Sequence, residues 1–260
     1  MKIEIKNGSF GYSKDSLILK NINFTVNDGE IFTILGKNGI GKTTLLKCIN
    51  GVLKWNSGEI YIDDKKVKSL KELKHIGYVP QAHQLSFPYS VRELVVMGRA
   101  KYLGIFSTPS EKDHELVEKT LSEIGILHLI DKKCSELSGG QLQMVFLARA
   151  LVGEPKILIL DEPESHLDFK NQSIILKLIV KLVREKNITC IFNTHYPEYA
   201  LRISDRSMMI GKDDYIIGKS SEIINETNMK KYFDISTKIV DTEIDDRVLK
   251  SVIITEDFDR

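Results

Sequence analysis

Gly36-Lys37-Asn38-Gly39-Ile40-Gly41-Lys42-Thr43-Thr44 fits the pattern G-x-x-x-x-G-K-[ST]. Glycines at 36, 39 and 41 let the backbone curl until several N–H groups point into one hollow, where side chains would obstruct them. From such a loop Lys42 reaches phosphate oxygens as a mobile point charge, and the Thr43 hydroxyl is a ligand for Mg²⁺. Asn38 and Thr44 complete the candidate phosphate cradle. The flanks agree with this reading. Ile31 to Leu35 is an apolar run that predicts a buried strand before the loop. Residues 43–50, closed by Gly51, predict a helix whose N-terminus faces the phosphates.

A second decisive stretch is Lys156-Ile157-Leu158-Ile159-Leu160-Asp161-Glu162-Pro163, a continuous apolar strand ending in two carboxylates. Such strands belong in the middle of parallel sheets, and ligands gather at their C-terminal ends. Asp161 is therefore placed to hold Mg²⁺, directly or through water. Alternation along a strand turns Glu162 the other way, where it can take a proton from water attacking a γ-phosphate. Leu137-Ser138-Gly139-Gly140-Gln141 opens a strong helix, with Ser138 as its N-cap. Gly139 and Gly140 leave backbone N–H groups uncovered there, which makes a second anion-binding helix start. Ile188 to Phe192 is another buried strand, and it ends at Asn193-Thr194-His195. His195 either reaches the γ-phosphate or is structural, and Tyr12 either stacks on a nucleotide base or packs on its own sheet.

The chain has 260 residues, of which 42% are hydrophobic and 28% charged, as in a soluble globular protein of one large domain or a domain with a subdomain. Lys+Arg 37 against Asp+Glu 36 argues against a broad nucleic-acid-binding face. Cys48, Cys134 and Cys190 are widely spaced and odd in number, so no disulfide framework follows and a reducing compartment is expected. Residues 2–6 alternate and lack the apolar core of a signal peptide. No apolar run is long enough to span a bilayer, so any membrane span belongs to another chain.

Around these motifs the opening reads as antiparallel β structure, with a turn or bulge at Asn7-Gly8. Gly58 to Asp63 alternates as a strand, and the lysine-rich run 65–74 reads as a solvated face. His75 to Gln81 predicts a buried strand stopping at Pro80. Residues 82–152 are expected to form a helical insertion, with helices over Val91 to Met97 and Asp113 to Ile124. Asp168 is a candidate cap for a helix over 169–186, and Pro197 starts the next. Ser207 to Ile217 predicts a hairpin turning at Gly211 to Asp214. Past Ser220 the pattern weakens to a helix over 222–233, an extended Val248 to Thr255 and a fraying acidic end.

The ordered set of motifs resembles the ATP-binding subunit of an ABC transporter. The matching residues are Gly36 to Thr43 (Walker A), Gln81 (Q-loop), Leu137 to Gln141 (signature), Ile157 to Glu162 (Walker B), Ser165 to Asp168 (D-loop) and His195 (H-loop), with Tyr12 in the adenine-stacking slot. The likeness covers residues 1 to about 220 and leaves 221–260 as a short C-terminal extension. It implies an α/β fold: a P-loop NTPase core with a mostly parallel sheet, an N-terminal antiparallel β subdomain and the inserted α-helical subdomain. It also implies ATP and Mg²⁺ as cofactors and a head-to-tail homodimer, with each ATP between the P-loop of one copy and Ser138, Gly139, Gly140 and Gln141 of the other. Glu162 is then the general base and His195 the γ-phosphate sensor, while Gln81 links Mg²⁺, water and the transporter. Asp168 lies near the dimer interface. The implied partners are separate polytopic permease subunits and, indirectly, a solute-binding protein, with the chain cytoplasmic and peripheral on the inner face of the cell membrane.

Val95-Val96-Met97-Gly98-Arg99 and the Ser-His-Leu-Asp D-loop look closest to importers of iron–siderophore, haem, cobalamin and related metal chelates. Phe87, Pro88 and Tyr89 are candidates for gripping the permease or for packing inside the helical subdomain. Two departures stand out. Glu164 occupies a place where threonine or serine is common, adding a carboxylate near the expected dimer interface, and Tyr196-Pro197 follows His195 where an acidic residue often stands. The competing reading is a soluble ABC ATPase without a transport role, such as one serving Fe–S assembly.

Overall fold

The computed structural model describes residues 1–13, 16–68, 70, 73–81, 88–104, 107–244 and 247–255. Phe87 lies outside the described residues, as does the acidic end 256–260. The chain opens with β1 (Ile3–Phe10) and β2 (Leu19–Val26), paired antiparallel. A register shift after Ile5 and a φ of 52° at Asn7 form the expected bulge. β3 (Ile31–Leu35) is buried throughout and leads through the glycine loop into α1 (Lys42–Ile49). That helix starts one residue earlier than the sequence pattern suggests, because left-handed Gly41 is its N-cap. β4 (Ser57–Ile62) and β5 (Lys65–Val67) complete a sheet in the order β2-β1-β4-β5. The start of the lysine-rich run is thus an edge strand, whose charges discourage pairing with another chain.

β6 (Ile76–Val79) enters the central sheet, and α2 (Val91–Val96) continues into a 3₁₀ turn over Met97–Tyr102. α3 (Glu111–Glu123), α4 (Gly139–Leu151), β7 (Ile157–Asp161), α5 (Phe169–Lys186), β8 (Thr189–Thr194) and α6 (Pro197–Ile203) follow. β9 (Arg206–Ile210) and β10 (Tyr215–Lys219) form the expected hairpin. The central sheet runs β10-β9-β3-β8-β7-β6, parallel except at β10. α7 (Ser220–Ile223), α8 (Glu226–Phe233), β11 (Thr237–Ile244) and β12 (Arg247–Ile254) end the fold, the last two as a separate antiparallel ribbon. Ile223, Ile224, Met229 and Tyr232 pack with Leu35, Met209 and Ala200, so this last part is seated directly on the core.

Alternation along the sheet sorts its two faces. Leu158, Leu160, Cys190 and Phe192 join the core formed with α2 to α5. Ile157, Ile159, Ile191, Phe32 and Ile34 join the opposite core, with α1 and the antiparallel sheet. Cys48, Cys134 and Cys190 are free thiols, all buried. Among the described residues no helix is long and apolar enough to cross a membrane.

In the helical layer, Ser90 with Glu93 and Ser110 with Asp113 form capping boxes that start α2 and α3. Arg99 Nε donates to Asp113 Oδ1 at 2.9 Å, so the Val95–Arg99 stretch ties two of these helices together. The Ser110 hydroxyl and N–H, then the Arg99 guanidinium, hold the Asp113 carboxyl down at about 2. The unfolded chain, with an ordinary carboxyl pKa, binds this proton more readily than the folded one. The stabilisation is therefore present above about pH 4 and disappears as pH falls towards 2. Urea unfolding of Asp113→Asn is expected to show a lower midpoint than the parent at pH 7 and a much smaller difference at pH 2. An equal difference at both pH values would contradict this account.

Candidate active site

Strand register brings the site together. β6 pairs Val79 with Leu160, β7 pairs Asp161 with Asn193, and β3 pairs Leu35 with Thr194. The C-terminal ends of four parallel strands thus form one edge, where ligands gather in sheets of this kind. The glycine loop, Asp161, Glu162, Gln81 and His195 all leave the sheet there.

Gly36, Gly39 and Gly41 have φ values of 157°, 78° and 111°. At Gly41 the requirement is double, since a Cβ would also lie 2.8 Å from Ile18 Cγ2. Lys42 is 4% exposed and its ammonium donates to the carbonyl oxygens of Gly36 (2.8 Å) and Lys37 (3.1 Å). It lies 3.9 Å from Glu162 Oε1. Burial pushes its pKa down, and Glu162, Asp161 and Glu164 oppose that shift. A confined cation over a glycine loop, with no acidic residue in the first turn of α1, suits the phosphates of a nucleotide.

Asp161 continues the row of Ile157 and Ile159 and so meets α1, where Thr43 Oγ1 donates to its Oδ1 at 2.9 Å. Asn193, fully buried, donates from Nδ2 to the same oxygen at 2.8 Å. Its own Oδ1 accepts the Glu162 N–H at 2.6 Å. One amide thus fixes both acidic positions, and neither composition nor motif pointed to it. Tyr78 OH approaches Asp161 Oδ2 at 3.3 Å. The hydroxyl, carboxylate and amide oxygens of Thr43, Asp161 and Gln81 are hard donors of the kind Mg²⁺ takes beside phosphate oxygens and water. Among the described residues no group of three or more His, Cys, Asp and Glu is placed to hold a metal alone.

Strict alternation does not extend to Glu162. The strand stops at Asp161, and a φ of 46° at Glu162 reverses the backbone. Its carboxylate consequently stays over the same edge, 3.4 Å from Gln81 Nε2 and 3.9 Å from His195 Nδ1. Gln81 Nε2 also reaches Ser165 Oγ at 3.2 Å, leaving its carbonyl oxygen as the donor for a cation. Burial lowers the His195 pKa, with Glu162 opposing. The Tyr196 ring lies on it, centroids 4.0 Å apart.

Glu164, expected near a copy-to-copy seam, is enclosed within its own chain. It is 0% exposed and accepts from the Thr194 hydroxyl through Oε1, while its Oε2 has no hydrogen-bond partner among the described residues. Burial is the chief reason that its carboxyl is pushed up to about 7.

The signature stands apart. Ser138 caps α4 and, with Gln141, forms a capping box, with Gln141 N–H donating to Ser138 Oγ at 3.3 Å. Ser138 and Gly139 are exposed, but Gly140 is buried, and a Cβ there would sit 2.7 Å from the Asn171 amide. The second glycine therefore has a packing reason, in addition to any uncovered N–H. Among the described residues no hydrogen bond or ion pair joins Ser138–Gln141 to the glycine loop. Asp168 caps α5 by accepting the Asn171 N–H at 2.8 Å. Tyr12 is 69% exposed and meets Phe10 edge-on, leaving a ring face open.

A family model described as ABC transporter matches residues 19–165. A second, described as an AAA domain, putative AbiEii toxin, Type IV TA system, matches residues 133–199. The chain is 32% identical to the molybdate import ATP-binding protein MolC of Haemophilus influenzae over 89% of this chain and 87% of the relative. It is 38% identical to a probable iron chelatin transport ATP-binding protein of Helicobacter pylori, over 88% and 90%. A solved structure of an inward-facing, putative metal-chelate type ABC transporter superposes with a TM-score of 0.89 at 30% identity, covering 98% of this chain and 97% of that one. Its P-loop, paired acids and signature helix thus stand in a sequence matched nearly end to end, and the chain belongs to the ABC transporter ATP-binding family, whose members bind and hydrolyse ATP.

Proposed function

We propose that two copies of this chain bind ATP head to tail and use its hydrolysis to power import of a metal chelate through separate membrane-spanning permease subunits, fed by a solute-binding protein. The observation that carries this reading is the split site. Lys42, Thr43, Asp161, Glu162, Gln81 and His195 share one sheet edge, whereas Ser138 and Gly139 form an exposed helix start that no hydrogen bond or ion pair among the described residues joins to them. A second copy would bring that helix start to the γ-phosphate. Tyr12 would stack on adenine, and Gly36 to Thr44 with Lys42 would cradle the phosphates. Thr43, Asp161 and Gln81 would hold Mg²⁺, which supplies charge neutralisation on the phosphates. Glu162 would accept a proton from the water attacking the γ-phosphorus, while His195 steadies the γ-phosphate oxygens. Asp168, at the start of α5, would lie near the copy-to-copy seam. The chain would work at the cytoplasmic face of the membrane.

Likeness to the iron chelatin and metal-chelate systems favours a chelated metal as cargo. Reconstitution with the permease subunits of the same organism tests this. ATP-driven uptake of a ferric or cobalt chelate, with little uptake of molybdate, is the expected result. Uptake of molybdate alone would overturn the chelate assignment.

A further inference from the structure

Glu164 lies in a part of the site that phosphate chemistry does not require, yet it is tethered there through both its carboxyl and its backbone carbonyl. Thr194, at the end of β8, donates its hydroxyl proton to Glu164 Oε1 and accepts the Tyr196 N–H at 3.0 Å. The two residues flanking His195 are thus clamped through one hydroxyl, and that hydroxyl is oriented by one carboxyl. The Glu164 carbonyl also accepts from Gln172 Nε2 at 3.3 Å, and Gln172 Oε1 accepts the Tyr199 hydroxyl. Glu164 therefore binds the segment after β7 to the exit of β8, to α5 and to α6.

A fully buried carboxyl with one unpartnered oxygen is costly to keep for packing alone. A hydroxyl caught between a carboxyl acceptor and an N–H donor, in contrast, has one orientation. The charged groups acting on Glu164 are Glu162 from the loop after β7 and Lys42 from α1, and it faces the Tyr199 phenol on α6. His195 is 3.9 Å from Glu162, so small rotations of the Thr194–Tyr196 turn change that approach directly.

We propose that Glu164 is a positioning residue for His195: through the Thr194 hydroxyl it fixes the turn that aims the imidazole at Glu162 and the γ-phosphate. The inference rests on the ATPase reading of the site. It gives Glu164 no contact with ATP, so its loss acts on turnover and leaves nucleotide binding alone.

Steady-state ATP hydrolysis by the assembled transporter tests it with Glu164→Leu, which leaves the Thr194 hydroxyl no acceptor at this position, Thr194→Val, Thr194→Ser and the Glu164→Leu/Thr194→Val pair. Glu164→Leu and Thr194→Val should each lower kcat about tenfold, with the KM for ATP within about twofold of the parent. The double variant should be no worse than either single, and Thr194→Ser, which keeps the hydroxyl, should retain near-parent turnover. The imidazole NMR signals of His195 should shift in Glu164→Leu. Additive losses, an unchanged kcat, a loss confined to KM or an undisturbed His195 signal would each overturn the proposal. If the Glu164 variant does not fold, the Thr194→Val and Thr194→Ser comparison still decides. The parent and Glu162→Gln serve as separate controls. Turnover that depends on Glu162 but is indifferent to Glu164 sinks the positioning role alone, whereas turnover that survives Glu162→Gln sinks the underlying assignment.

Discussion

Glu162→Gln is expected to slow ATP hydrolysis by about 10² to 10⁴-fold while leaving ATP bound. The amide keeps the size of the side chain but cannot take a proton from water. Nucleotide affinity should hold, because the groups assigned to the phosphates are Lys42 and the loop N–H groups, which the substitution leaves in place. Lys42 lies 3.9 Å from Glu162, so removing one negative charge there leaves the ammonium more available to the phosphates. With hydrolysis blocked, the ATP-bound, two-copy form should accumulate and elute as a dimer in gel filtration. Phosphate release measured beside elution volume checks both halves. Hydrolysis at the parent rate would remove Glu162 from the base role, and a variant that never dimerises with ATP would remove the shared site.

Lys42→Ala should weaken ATP binding about a hundredfold, close to 2.7 kcal/mol. Two effects add. The β- and γ-phosphates lose their buried cation, and the carboxylates of Asp161, Glu162 and Glu164 lose the positive charge that acts on all of them. Lys42→Arg should rescue little. The ammonium fits between two backbone carbonyls at 2.8 and 3.1 Å, and a planar, wider guanidinium does not match that spacing. Titration with a fluorescent ATP analogue checks both variants. Affinity within threefold of the parent for Lys42→Ala would show that the loop N–H groups carry the binding.

The parts of this fold visible in the chain were those whose cause is local. The glycine loop, the apolar runs of β3 and β7, the Ser138 cap and the Asp168-capped α5 each follow from spacing within one segment. What escaped needed register or packing. Asn193 looks like the polar end of a strand, and only the pairing of β7 with β8 sets it against Asp161 and the Glu162 N–H. Glu164 reads in the sequence as a carboxylate near the expected dimer interface, and its burial comes from α5 and the β8 exit closing over it. The expected reversal at Glu162 failed because a strand rule was carried one residue past the strand, into left-handed backbone. At the other end, Thr237–Ile244 was missed as the partner of β12: most of its residues are polar or partly exposed, so no clean alternation marks it.

The three free cysteines can serve as clocks. Cys48 sits in the last turn of α1, the helix that follows the glycine loop, Cys134 in the turn before the signature, and Cys190 in the central parallel sheet. Burial raises the thiol pKa at all three, to about 12 at Cys48, so thiolate forms on any of them chiefly when its surroundings open. The order in which an alkylating reagent marks them therefore maps which layer opens first, with no mutation made. Nucleotide should retard labelling of Cys48 first, and Cys190 should keep the time of global unfolding.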